Sequence, residues 1–348
     1  MCMELQYSGQ LEISALITYG SVKTVMLNKF EVIIPCKSID QLTIKCISEI
    51  GALYPTIKII VLPDKLTDFI CITKFKIHVT GKVTIASKRN LAAKLSNAEY
   101  LAFIDSDAYP LAGWLEHACK YFSVSNIAAV GGPNLPPSTQ PYQEAIVGNA
   151  LQSFLVSGGN TYRKRKLSAR FVNDLPSCNL IVKRSFYMLL GGMKEELFTG
   201  EDVDFCIRLR KSKLLIAYDP NVCVFHKNRD IWNFILQRLT YGASVPEIIK
   251  LNNLEKSFHF LLPAIFLIFL ITTPLLIFVN SYLIFLYLVI IIFYCLVVII
   301  ESMRFSKSIK EFFGTTLALT LGNLTPGLGT ILAFLKLMPD RYKIYRNS

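Results

Sequence analysis

Residues 99–115 read EYLAFIDSDAYPLAGWL, an apolar run that stops at two aspartates, Asp105 and Asp107, one residue apart. A nearly all-apolar run of this length reads as a strand buried on both faces, as in a parallel sheet covered by helices. Outward from it the pattern repeats. FEVIIP (30–35), the helically spaced IDQLTIKCISEIGALYP (39–55), TIKIIVLPD (56–64), FKIHVTG (75–81) and the helix-like SKRNLAAKLS (87–96) precede it, and IAAVGGP (127–133) follows. This alternation predicts an α/β domain, Rossmann-like, with a mainly parallel sheet and helices on both faces. In such sheets ligands bind beyond the carboxyl ends of the strands. Three strand ends carry candidate site residues: Pro35 with Cys36, Asp64, and Asp105 with Asp107.

The chain has 348 residues, 52% hydrophobic and 18% charged, with a mean hydropathy of +0.42. That is too apolar for an ordinary soluble domain. The excess lies at the C-terminal end, in 258–279 (FHFLLPAIFLIFLITTPLLIFV) and 281–300 (SYLIFLYLVIIIFYCLVVII). Each is long enough to cross the hydrocarbon, which takes about 20 apolar residues. They predict a transmembrane helical hairpin over 258–300. The stretch 312–338 holds Gly314, Gly322, Pro326, Gly327 and Gly329 between two basic flanks: Arg304, Lys307 and Lys310 before it, Arg341, Lys343 and Arg346 after it. Cytoplasmic flanks are the basic ones, and a single crossing cannot leave both on one side. The expectation is a re-entrant or interfacial hairpin broken near TPGLG (325–329), with a third full span as the alternative. Residues 1–29 are expected to be an N-terminal extension, and 30–250 a cytosolic domain.

The net charge of +12 calls for anionic partners or for cytoplasmic juxtamembrane segments. The basic residues are dispersed, with no aromatic-basic strip or zinc-finger spacing, so nucleic acid is not the expected partner. Nine cysteines form no CxxC pair and read as free thiols in a reducing compartment. MCMELQYSGQLEIS at the start has no basic region followed by an apolar core, so no cleaved signal is expected. Together these predict an integral membrane protein with its main domain on the cytoplasmic face.

Four motifs carry chemistry. Asp105 and Asp107 at a buried strand end suit a hard cation between carboxylates and phosphate, although Asp in "DAYP" also suits a plain turn. TGEDVDFCIRLRKSK (199–213) puts Glu201, Asp202 and Asp204 at a helix start. The helix dipole favours acids there, and a carboxylate facing a cleft would serve as a general base. His226 in VFHKN (224–228) reads either as a structural histidine or as a further metal ligand. Lys88 and Arg89 begin a helix after a strand, where they could meet phosphate.

In order, VIIP, Asp64, KRNLAAK, LAFIDSDAYPLAGWL, GGPN, SCNLIVKRSFYMLLGG, TGEDVDFCIRLR and VFHKN resemble the family-2 glycosyltransferases of the GT-A fold, from about residue 30 to about residue 245. The resemblance implies an enzyme that moves one sugar, with inversion, from a nucleotide-sugar donor to a lipid-linked or membrane-proximal acceptor. It implies that Pro35, Cys36, Ser38 and Asp64 lie by the nucleoside and that Lys88 and Arg89 reach the nucleotide. Asp105 and Asp107 would hold Mg²⁺ or Mn²⁺ on the diphosphate, with Asp107 the more direct ligand. Asp202 matches the base, Glu201 would help position the acceptor, and Asn179 would line the sugar pocket.

Two departures from the family pattern stand out. Strand two ends in a single aspartate, Asp64, where the family often has a pair. The Gln-x-x-Arg-Trp motif of processive members is absent, since Gln237 is followed by Thr240 and Tyr241 at the Arg-Trp positions, so a polymer-extruding synthase is not expected. A polyprenyl-phosphate glycosyl synthase and a catalytically silent membrane scaffold are the alternatives. The basic run Arg163, Lys164, Arg165 and Lys166 reads as a solvated loop or as a lid for acidic headgroups.

Overall fold

A computed structural model of the chain describes residues 27–66, 75–197, 199–252, 258–273 and 281–338. Most of the expected N-terminal extension, residues 1–26, lies outside them. The elements in chain order are β1 (Phe30–Pro35), α1 (Gln41–Leu53), β2 (Lys58–Leu62), β3 (Lys76–Ile77), α2 (Ile85–Leu95), β4 (Tyr100–Ile104), β5 (Ala108–Pro110), α3 (Trp114–Tyr121), β6 (Ile127–Gly131), β7 (Asn134–Leu135), α4 (Tyr142–Gln152) and α5 (Phe154–Ser157). Then come β8 (Arg170–Phe171), β9 (Asn179–Lys183), α6 (Arg184–Leu189), α7 (Glu201–Lys211), β10 (Leu215–Tyr218), β11 (Val224–His226), α8 (Ile231–Ala243), α9 (Val245–Asn252), α10 (Leu262–Thr272), α11 (Ser281–Phe305) and α12 (Ile309–Phe334).

The chain divides into two compact units, one up to Pro137 with Tyr162–Lys227, the other Ser138–Thr161 with Asn228–Ser348. The expected 30–250 domain spans parts of both units. Residues 138–161 and 228–250 belong with the C-terminal helices.

In the first unit an eight-stranded sheet runs in the order β3-β2-β1-β4-β9-β6-β10-β8. β1 pairs parallel to β2 and β4, β2 to β3, and β6 to β10. β9 is antiparallel to both β4 and β6, and β8 to β10. A smaller sheet has the order β5-β11-β7. Successive side chains of a strand point to opposite faces, and β1 uses both. Val32 and Ile34 pack with Cys46, Ile47 and Ile50 of α1 and Trp114 and Leu115 of α3, whereas Ile33 packs with Ala92 and Ala93 of α2 and Phe205 and Leu209 of α7. The sheet is thus covered on both faces, as the apolar runs imply. The Gly131–Gly132 pair is required by close approach. A Cβ on Gly132 would stand 2.1 Å from the Val222 carbonyl oxygen, and one on Gly131 2.3 Å from that of Asn179.

In the second unit α4 and α5 occupy a stretch with no clear periodicity in sequence. Val147 and Ala150 of α4 join Phe234 of α8, Val298 of α11 and Ala318 and Leu319 of α12 in a separate core. Among the described residues two helices are long and apolar enough to cross a membrane, Ile284–Phe305, its apolar window 6% buried, and Ile309–Phe334, its window 44% buried. The first expected span appears as the shorter α10, and 274–280 lie outside the described residues.

The expected break near TPGLG does not occur, because α12 runs through Pro326 as one helix. Proline in a helix interior removes the N–H that would bond the carbonyl four residues earlier. For Pro326 that carbonyl belongs to Gly322, and the Nε of Arg238 in α8 donates to it at 2.9 Å. The same guanidinium donates to the Val156 carbonyl at 2.9 Å. Burial lowers the Arg238 pKa to about 10, and it stays charged at neutral pH. Glycines let α8 and α12 meet backbone to backbone. A Cβ on Gly242 would lie 1.9 Å from the Pro326 oxygen, and one on Gly329 2.1 Å from the Leu239 oxygen. The Thr330 hydroxyl closes the contact by donating to the Gly242 carbonyl at 3.0 Å.

Candidate active site

The site lies at the carboxyl ends of β1, β2 and β4, and two ladders determine who meets whom. In the antiparallel pairing of β4 with β9, Ile104 faces Asn179. The next step of that register brings Asp105 opposite Cys178. In the pairing of β11 with β5, His226 faces Ala108. That sets the imidazole beside Asp107, with Nε2 3.2 Å from Asp107 Oδ1. Ligand atoms of Asp105, Cys178 and His226 all lie within 4.8 Å of one another. The chemistry of this donor set, two carboxylates and an imidazole with a thiol alongside, fits a divalent cation.

The third acidic group arrives on α7. Gly200 caps that helix at φ +82°, a left-handed conformation that glycine adopts without strain. The first turn then presents Glu201 and Asp202. Asp202 Oδ2 accepts from the Ser177 amide at 3.1 Å and Oδ1 from the Val203 amide at 2.8 Å, so the backbone holds its carboxylate in one orientation. Burial, reinforced by the charge of Asp202 and opposed by Arg89, pushes Glu201 up to about 7.

The two basic residues expected to reach the nucleotide are engaged by groups of the protein itself. Arg89 is 1% exposed and bridges Asp105, at 2.9 Å, and Glu201, at 3.0 Å. Lys88, 2% exposed, is paired with the Asp64 carboxylate and donates to the Cys36 carbonyl. Both are internal counter-ions. They orient the carboxylates of the site and present little free charge. Around them, Cys36 N–H donates to the Leu62 carbonyl at 3.1 Å and Asp64 N–H to the Lys37 carbonyl at 3.0 Å, which draws the loops after Pro35 and after β2 together. Ser38 is half-buried there, its carbonyl accepting from the Thr43 hydroxyl.

Asn179 differs most from its expected role. It is fully buried. Its Oδ1 accepts from Trp114 Nε1 at 2.9 Å and its Nδ2 donates to the Val222 carbonyl at 2.8 Å. With both ends of the amide engaged it ties α3 to the 219–222 turn and has no face for a sugar. The basic run is also not a wholly solvated loop. Arg163 pairs with Asp174, and the Arg165 carbonyl accepts from the Tyr218 hydroxyl at 2.8 Å. Sequence reasoning missed Cys178 and Ser177. The signal lay in Ser177 and Cys178 directly before β9, and it becomes readable once β9 is known to pair antiparallel with β4.

A covered α/β sheet with paired aspartates at a strand end, joined through Arg89 to an acidic helix start, is what the motif resemblance implies. The motif resemblance has a counterpart in sequence comparison. A pre-mycofactocin glycosyltransferase of Mycobacterium tuberculosis is 29% identical over 160 residues, 46% of this chain and 33% of the relative. The chain therefore spans about a third of the length of the curated relatives it matches. No protein-family model matches the chain. Among solved structures, it is similar to the mannosyltransferase PcManGT of Pyrobaculum calidifontis in complex with GDP-Man and Mn²⁺ (TM-score 0.48, 14% identity, 70% of this chain and 72% of that one). It is also similar to S. aureus TarS 1–349 in complex with UDP-GlcNAc (TM-score 0.41, 14% identity, 62% and 66% covered).

Proposed function

We propose that the chain is an inverting glycosyltransferase that moves one sugar from a nucleotide-sugar donor to a lipid-linked or membrane-proximal acceptor, with a divalent cation. The observation that carries this reading is the convergence of Asp105, Asp107 and His226 at one strand end, with Arg89 bridging Asp105 to the Glu201–Asp202 turn. A divalent cation held by Asp105, Asp107 and His226 would neutralise charge on a departing diphosphate.

Asp202 takes the proton of the acceptor hydroxyl as that oxygen attacks the anomeric carbon from the face opposite the diphosphate. Its carboxylate is held for that task by the amides of Ser177 and Val203. Glu201, anchored by Arg89, would orient the acceptor. The two long apolar helices support a lipid-linked acceptor. If that acceptor is a polyprenyl phosphate, it is already an anion and the base matters less.

The test is nucleoside diphosphate release by the purified full chain across a panel of nucleotide-sugars, with and without divalent cation. Asp202→Asn should lower kcat by a factor of about 10²–10⁴ for a hydroxyl acceptor and far less for a phosphate. A chain that binds no nucleotide diphosphate and turns over no donor would leave the silent scaffold standing.

A further inference from the structure

The thiol beside the carboxylates has no part in the reaction described above. Cys178 is buried, and its Sγ lies within 4.8 Å of a carboxylate oxygen of Asp105 and a ring nitrogen of His226. Six other described cysteines are free, and none of them joins such a set. Cys46 is near by, but its Sγ contacts the Asp105 backbone carbonyl at 3.8 Å. Cys178 receives what a metal-bound sulfur needs, an N–H donor: Asn134 Nδ2 donates to it at 3.0 Å. Asn134 is itself 3% exposed, and its Oδ1 is buried without a hydrogen-bond partner. An orphaned acceptor beside a cluster of three ligand types is costly unless a water or a bound ligand meets it.

We propose that Cys178 is a sulfur ligand of the divalent cation at Asp105 and His226, so that the site takes a borderline or soft cation (Co²⁺, Zn²⁺ or Cd²⁺) in preference to Mg²⁺. This deepens the metal assignment of the proposed function and rests on it. The chemistry is a simple exchange. The S–H bond gives up its proton to solvent as the sulfur–metal bond forms, so cation uptake releases a proton and weakens at low pH. Oxygen donors alone suit Mg²⁺ and Mn²⁺, and a thiolate shifts the preference toward softer ions.

The experiment is a Co²⁺ titration of the full chain, solubilised and stripped of metal with chelator, followed by absorption. A near-ultraviolet sulfur-to-cobalt charge-transfer band is expected, saturating at one equivalent. Cys178→Ser should abolish the band and weaken Cd²⁺ at least about tenfold while leaving Mg²⁺ affinity unchanged, and Cys46→Ser should retain the band. Removing the neighbouring donor with Asn134→Ala should weaken Co²⁺ by about tenfold or more with the thiol still in place.

Co²⁺ bound without the band, a band that persists in Cys178→Ser, or no Co²⁺ binding would each overturn the proposal. If the serine variant does not fold, absence of the band in the wild type still overturns the proposal. No nucleotide-sugar enters any of these readouts. A cation site without transfer and transfer without sulfur ligation are therefore separately recognisable.

Discussion

Replacing Arg238 by methionine should destabilise the helical unit by about 3–6 kcal/mol, since hydrogen bonds to charged donors are worth about 1.5–3 kcal/mol each and two buried carbonyls lose theirs. Those carbonyls belong to Gly322 and Val156, each met at 2.9 Å. Methionine preserves much of the apolar stem, so the loss reports mainly the guanidinium. The reasoning turns on Pro326. In a Pro326→Ala background residue 326 regains an N–H, which can bond the Gly322 carbonyl within the helix. The cost of Arg238→Met should then fall by about 1–2 kcal/mol, the price of one unsatisfied buried carbonyl. The assay is unfolding of the full chain in mixed detergent micelles, followed by far-ultraviolet circular dichroism, for the wild type, both single variants and the double variant. Equal destabilisation by Arg238→Met in both backgrounds would refute the account, because the arginine would then be doing something other than replacing the missing donor.

Two further outcomes follow from the site. Glu201 has a raised pKa in the folded chain, from 4.5 to about 7. The proton it binds therefore stabilises the fold fully below about pH 4.5, and that stabilisation is lost as pH rises through 7, by about 3 kcal/mol at most. Glu201→Gln removes the ionisation and keeps the shape. The melting temperature of the metal-free wild type should fall relative to the variant between pH 4.5 and 7, and a flat difference would refute the assignment. Gly200→Ala places a Cβ at φ +82°, which costs about 1–2 kcal/mol and turns the Glu201–Asp202 pair. Melting temperature and kcat should both drop, and an unchanged kcat would show that the pair is not aimed by this residue.

The sheet was legible because β1, β2 and β4 are nearly all apolar and run into proline or aspartate, and that pattern survives any detail of packing. Asp105, Asp107 and the GEDVD helix start were legible for the same reason, as local features of chain order. What could not be read were relations between distant segments. Cys178 joins Asp105 only through the β4–β9 register. Asn179 looks from its position like a pocket residue, yet Trp114, 65 residues away, holds one end of its amide. The TPGLG segment carries every local sign of a break, and the arginine that mends it lies 84 residues upstream of the Gly322 carbonyl it meets. Lys88 and Arg89 read as free cations because a sequence does not show which carboxylates will surround them.

Their adjacency has a mechanical consequence. Lys88 and Arg89 are successive residues of one helix, and each ties a different strand end: Asp64 and the Cys36 carbonyl for the first, Asp105 and Glu201 for the second. The two halves of the site therefore share a single degree of freedom, the tilt of α2. Asn90, next in line, pins that tilt by donating to the Met193 carbonyl at 2.8 Å and accepting from the Tyr187 hydroxyl at 2.7 Å. A change far from any substrate, at the seat of Asn90 against Gly192, would move both halves together.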